Sequence, residues 1–115
     1  MQVFLHHIYE YQKGLRNLIL HTLSKNLENQ AVTRLEKLKI PYFVQNVSDS
    51  KINLFFGEKN CVDIVRLFGD KPLNEYLPEE DFILGIMLGY GMIPQCSRYI
   101  TNRNKHKQRI KELIA

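Results

Sequence analysis

Apolar and polar residues along the chain change period several times, and each change marks an element. Val3 to Ile8 is rich in branched and aromatic residues and reads as a strand covered on both faces, with Phe4, His6 and Ile8 on one side and Val3, Leu5 and His7 on the other. Leu15, Leu18, Ile19, Thr22 and Leu23 then recur at the spacing of an amphipathic helix. A second stripe, Leu27, Ala31, Leu35 and Leu38, follows the polar Ser24-Lys25-Asn26, which separates two helices or kinks one long helix, and Pro41 stops it. Tyr42 to Val47 and the alternating Lys51 to Phe56 flank the turn cluster Ser48-Asp49-Ser50 and predict an antiparallel hairpin, ended by Gly57.

The rest of the chain is read as helical. Asn60 resembles an N-cap, with Asp63 three residues on, and Val62, Val65, Leu67 and Phe68 carry that helix to Gly69. Pro72 to Leu77 is a loop or one short turn. Pro78 opens a strongly apolar helix whose first turn holds Glu79, Glu80 and Asp81, where the helix dipole favours acids. Gly89 or Gly91 ends it. Pro94 starts a helix with the stripe Cys96, Tyr99 and Ile100; Asn102-Arg103-Asn104 weakens it, and Arg109 to Ile114 forms a last basic helix. The order is β-α-α-β-β-α-α-α. With a parallel, right-handed first crossover, the third strand falls between the first two; a competing reading places residues 1–8 outside the sheet. The fold class is α+β: one domain over residues 1–103 with a three-stranded antiparallel sheet in the order 1-3-2 and helices packed on it, then a basic helix or tail over 104–115.

Composition narrows the class. The 115 residues, 44% apolar and 24% charged, suit one soluble globular domain. The apolar run Phe82 to Tyr90 is too short to span a bilayer. The opening residues carry no basic n-region or cleavage pattern. Two cysteines, Cys61 and Cys96, are too few for a disulfide framework. The chain therefore reads as cytoplasmic, with no membrane partner. The net charge of +4 is localised: from Arg98 onward six bases stand against Glu112 alone, a charge of +5, which leaves −1 for residues 1–97.

Candidate chemistry is thin. His6 and His7 lie beside Tyr9, Glu10 and Tyr11, but neighbouring strand residues point apart and cannot share an ion. Cys61 sits at an expected helix N-terminus, where the dipole lowers a thiol pKa; a packing cysteine is the plainer reading. Gly85 and Gly89 suggest close approach of another element. No nucleophile–base pair, metal cluster or phosphate loop is visible, so no catalytic, metal-binding or cofactor-binding residues are assigned. Only a pocket gathering His7, Tyr9, Cys61 and a carboxylate would favour an enzyme. Exposed Tyr42 and Phe55, with the Phe82–Tyr90 helix, offer apolar surface for a homodimer. The segment 78–111 has the helix–turn–helix order of a DNA-binding element, with Gln95, Ser97 and Arg98 facing a groove. The charge split favours instead a binding module whose partner-binding residues are Arg98, Arg103, Lys105, Lys107, Arg109 and Lys111; the plainer reading is that these bases only solubilise a frayed terminal helix.

Ile52-Asn53-Leu54-Phe55-Phe56-Gly57, the run Pro78 to Tyr90, and Gln95-Cys96-Ser97-Arg98-Tyr99 closely resemble the bacterial domain of unknown function 2023, as do Val3 to Glu10 and Lys13 to Leu18. The likeness covers roughly residues 1–103. A polar residue usually follows the Gly-Tyr pair in that pattern; Gly91 departs from it, which leaves the shape of the turn open. The resemblance implies an α+β fold, a small bacterial cytoplasmic protein, no assigned activity and no site residues. It also implies a gene neighbourhood near flavodoxins, and so an acidic protein such as a flavodoxin as the partner of the basic segment. Nucleic acid is the alternative partner.

Overall fold

A computed structural model describes residues 1–114. The chain runs α1 (Gln2–Gln12), β1 (Leu18–Ser24), a 3-10 turn (Lys25–Leu27), α2 (Glu28–Lys37), β2 (Tyr42–Asn46), β3 (Lys51–Gly57), α3 (Lys59–Leu67), a second 3-10 turn (Leu73–Glu75), α4 (Pro78–Met87) and α5 (Met92–Ile114). The sheet is three-stranded and antiparallel in the order β1-β3-β2. The fold class and strand order are those expected from the sequence, but the first two elements change places. Val3–Ile8 is helix and pairs with no strand; Leu18–Ser24, expected to be helical, is the first strand.

The exchange has a packing reason. On a helix, Phe4, Ile8 and Tyr11 share one face, and Phe4 and Ile8 are buried by it. On a strand, Ile19 and Leu23 point to one side of the sheet and Leu18 and Leu20 to the other, so every apolar residue of β1 finds a core. β1 pairs along its whole length with β3, Leu18 opposite Gly57 and Ser24 opposite Lys51.

β3 lies between two neighbours and is covered on both faces. Ile52, Leu54 and Phe56 join Phe4, Ile8, Ala31, Leu35 and Ile40 in a core under α1 and α2. Phe55 joins Leu18, Val62, Val65, Leu84 and Leu88 in a second core under α3 and α4. Phe55 is therefore fully buried, contrary to its expected exposure, and Tyr42 is half-buried. On the second face a polar row crosses the strands. Thr22 Oγ1 donates to Asn53 Oδ1 (2.6 Å), and Asn53 Nδ2 to Gln45 Oε1 (3.1 Å). The row satisfies the buried Asn53 and Gln45, which would otherwise be costly to desolvate.

Caps differ in detail from the sequence reading. α3 is capped by Glu58, not Asn60: the Glu58 carboxylate accepts from the Cys61 N–H (3.1 Å). α4 begins with Pro78 in its first turn, as expected, and the Leu77 N–H donates to Glu80 (2.8 Å). Gly89 adopts φ +86° after α4 and lets the chain reverse into α5. α5 starts at Met92, two residues before Pro94, and continues unbroken through Asn102-Arg103-Asn104 to Ile114.

Candidate docking interface

α4 and α5 form an antiparallel hairpin, and its contacts decide which charges remain available. Arg98 makes a two-pronged ion pair with Asp81, Nε–Oδ2 2.7 Å and Nη2–Oδ1 3.0 Å. Arg103 reaches Glu79 at 3.4 Å and Tyr99 Oη at 3.0 Å. The Phe82 and Tyr99 rings pack with centroids 5.5 Å apart. A Cβ on Gly85 would collide with the Gln95 amide, so the glycine allows the close approach its position suggested. The carboxylates of the α4 first turn thus have a second use: beyond suiting the helix dipole, they hold α5.

These pairs divide the six sequence-selected bases. Arg98 and Arg103 are neutralised within the chain. Lys105, Lys107, Arg109 and Lys111 are exposed and make no ion pair among the described residues. Helical spacing puts Lys105 and Arg109 in line with Arg98, and Lys107 and Lys111 in line with Arg103. The bases therefore form two rows, not one compact patch. Lys105, His106 and Arg109 border a cleft of about 180 Å³ with Asn74, Tyr76 and Pro78 on its far side. The Tyr76 hydroxyl is buried without a hydrogen-bond partner among the described residues, and burial pushes its phenol above the ordinary value. The Gln45 amide lies beside it but donates to the Lys71 carbonyl.

α5 is also long. Its 23 residues span about 35 Å, against about 15 Å for the ten residues of α4. The helix therefore outruns α4, its main packing partner among the described residues, by several turns. The radius of gyration of 15.8 Å, against about 13 Å for a compact chain of this length, reflects that projection.

The other candidates fall apart in space. His7 and Tyr9 lie on α1 and Cys61 on α3, on opposite sides of the sheet, so the residues whose meeting would favour an enzyme do not meet. His7 Nδ1 bonds Glu10 (2.9 Å), with Arg16 Nη1 3.9 Å from the same carboxylate. His6 is exposed. No group of three His, Cys, Asp or Glu among the described residues could hold a metal ion. Burial, then the Glu58 charge, pushes the Cys61 thiol up, away from a reactive thiolate. Of the groups offered to a DNA groove, Gln95 packs on Gly85 and Arg98 is tied to Asp81. The antiparallel pairing also differs from the 90–120° corner of a helix-turn-helix. No helix among the described residues is long and apolar enough to cross a membrane.

What sequence reasoning missed is the division of the bases. The signal was present: acids at 79 and 81 and bases at 103 and 98 are spaced symmetrically about the Gly89-Tyr90-Gly91 turn, as an antiparallel hairpin requires. The family described as a protein of unknown function (DUF2023) matches residues 2–102. No curated protein matches the chain.

Proposed function

The chain belongs to the DUF2023 family of proteins of unknown function, and from that premise we propose that it is a non-enzymatic accessory protein that docks an acidic protein surface through the projecting end of α5. One observation carries the reading: Lys105, Lys107, Arg109 and Lys111 stand on a helix end that extends past α4, with no internal acid to neutralise them among the described residues. Charges arranged in this way steer an oppositely charged partner and speed encounter. A flavodoxin, the acidic protein that the family resemblance suggested, is the first partner to test.

The test is binding of purified flavodoxin by calorimetry at low and high salt, with a variant carrying Lys105→Gln, Lys107→Gln, Arg109→Gln and Lys111→Gln. The expected result is association that weakens with salt and drops at least tenfold in the variant. Equal affinity for parent and variant would remove the helix end from the docking surface. A duplex DNA arm separates the alternative: preference for DNA, with a log–log salt slope of about −0.9 per phosphate contacted, would replace the protein partner by nucleic acid.

A further inference from the structure

The faces of α5 are inverted relative to an ordinary surface helix. Its four partly covered residues are Gln95, Tyr99, Asn102 and His106, spaced four, three and four apart and so on one side. They meet the body largely through polar groups, Gln95 at Gly85, Tyr99 at Glu79, Asn102 at Asp81 and His106 in the cleft, with the Tyr99 ring also packed on Phe82. A side about 100° around the helix from these carries Ile93, Cys96, Ile100, Arg103, Lys107, Ile110 and Ile114, spaced three and four apart in strict alternation. All are exposed, Ile93 at 78% and Ile114 at 81%. A surface helix normally buries its apolar stripe and wets its polar one. The outward spacing is that of the a and d positions of a coiled coil. The residues form one row along the helix, apolar at both ends and basic in the middle, unlike apolar residues scattered singly over a surface.

We propose that this seam docks an acidic amphipathic helix of another protein. The proposal rests on the reading of α5 as the docking element and names the form of its partner. The two bases in the middle of the seam select the occupant. In a second copy, parallel in-register pairing of α5 with itself would set Arg103 and Lys107 against the same bases, and antiparallel pairing about residue 105 would set Arg103 against Lys107, arrangements that cost most where water is excluded. At an anionic membrane the apolar face would be unbroken, with bases at its flanks and aromatic residues at the interface. Here the bases interrupt the apolar face, and none of the seven seam residues is aromatic. A partner helix with carboxylates opposite Arg103 and Lys107, and apolar residues opposite Ile93, Cys96, Ile100, Ile110 and Ile114, satisfies every position. Without a partner, Arg103 rests on Glu79.

Two synthetic peptides of about four heptads test this. One carries leucine at its seam positions and glutamate where Arg103 and Lys107 would face it; the other has the same composition scrambled. Their anisotropy is followed with the full-length protein at physiological salt. The patterned peptide is expected to bind at least tenfold tighter than the scrambled one. Ile100→Asp and Ile110→Asp are each expected to abolish that preference while leaving the circular dichroism of the free protein unchanged. Equal affinity for the two peptides would overturn the seam and leave the charge-based docking standing. Failure of both peptides to bind at low salt would count against both readings. Self-association at micromolar concentration, or retention on phosphatidylserine vesicles, would overturn the proposal if Ile100→Asp abolished it, because the seam would then belong to a second copy or a lipid surface.

Discussion

Single residues show where local chemistry departs from pattern. Lys39 has φ +60°, the left-handed conformation that ends α2, in a side chain that pays for it. Lys39→Gly is expected to raise unfolding stability by about 0.5 kcal/mol, the relief of strain being partly offset by the freer unfolded chain; urea melts check it. His21 gives a pH dependence. Burial first, then the nearby His7 charge, holds its pKa below the ordinary 6.5. The unfolded chain therefore binds the proton more readily, and stability rises with pH across this window. That contribution is complete above 6.5 and is lost as pH falls through the folded-state value. Urea midpoints between about pH 8 and 5 should fall for the parent and fall less for His21→Phe, which keeps the ring beside Phe4 and removes the titration. None of this was legible in the sequence, because both effects come from neighbours that only the fold supplies. The packing role of Cys61 was legible, since its residue type favours burial over reactivity without a partner.

Elements were legible where periodicity was unambiguous and failed where it was not. The β2–β3 hairpin and α4 followed directly from strict alternation and from Pro78 with its acids. The N-terminal pair was exchanged because both segments satisfy both periods: Phe4, Ile8 and Tyr11 fit a helix as well as Val3–Ile8 fits a strand. Leu15 fitted the helical stripe by coincidence and is 69% exposed. Pairing with β3 settles what local pattern left open. At the end of that pairing, Gly57 has φ +147°, and a Cβ there would collide with the Asn17 carbonyl. Gly57→Ala should therefore cost about 2 kcal/mol or more, because a backbone atom cannot turn aside as a side chain can. The α4–α5 hairpin is held by exposed charges and makes a weaker prediction. A double-mutant cycle with Asp81→Asn and Arg98→Gln should give a coupling of about 0.5–1 kcal/mol, at the upper end for a surface pair because the contact is two-pronged. A coupling near zero would mean that Tyr99, Phe82 and the Gly85 contact hold the hairpin without that ion pair.

The whole molecule joins a sheet covered on both faces to a helix that is mostly uncovered. Covering both faces explains why Phe55 is buried although the alternation of β3 set it on the face opposite Ile52, Leu54 and Phe56. It also removes the sheet face as a surface for self-association. The apolar surface left over lies elsewhere, and part of it, Met92, Ile93, Ile100, Ile110, Leu113 and Ile114, is on α5, where the basic residues are. The sequence displayed the charge but hid the geometry: counting bases cannot tell that Arg98 and Arg103 are occupied, nor that the polar side of α5 turns inward. Solution scattering tests the arrangement as a whole. If α5 is a single helix fixed at one end by α4, the free protein should scatter as a monomer with a radius of gyration near 15.8 Å, before any contribution from bound water. A value near 13 Å would mean that the helix folds back and buries its isoleucines on the body. The bases at 103 and 107 oppose self-pairing, so scattering of twice the monomer mass would show that like charges do not control this surface.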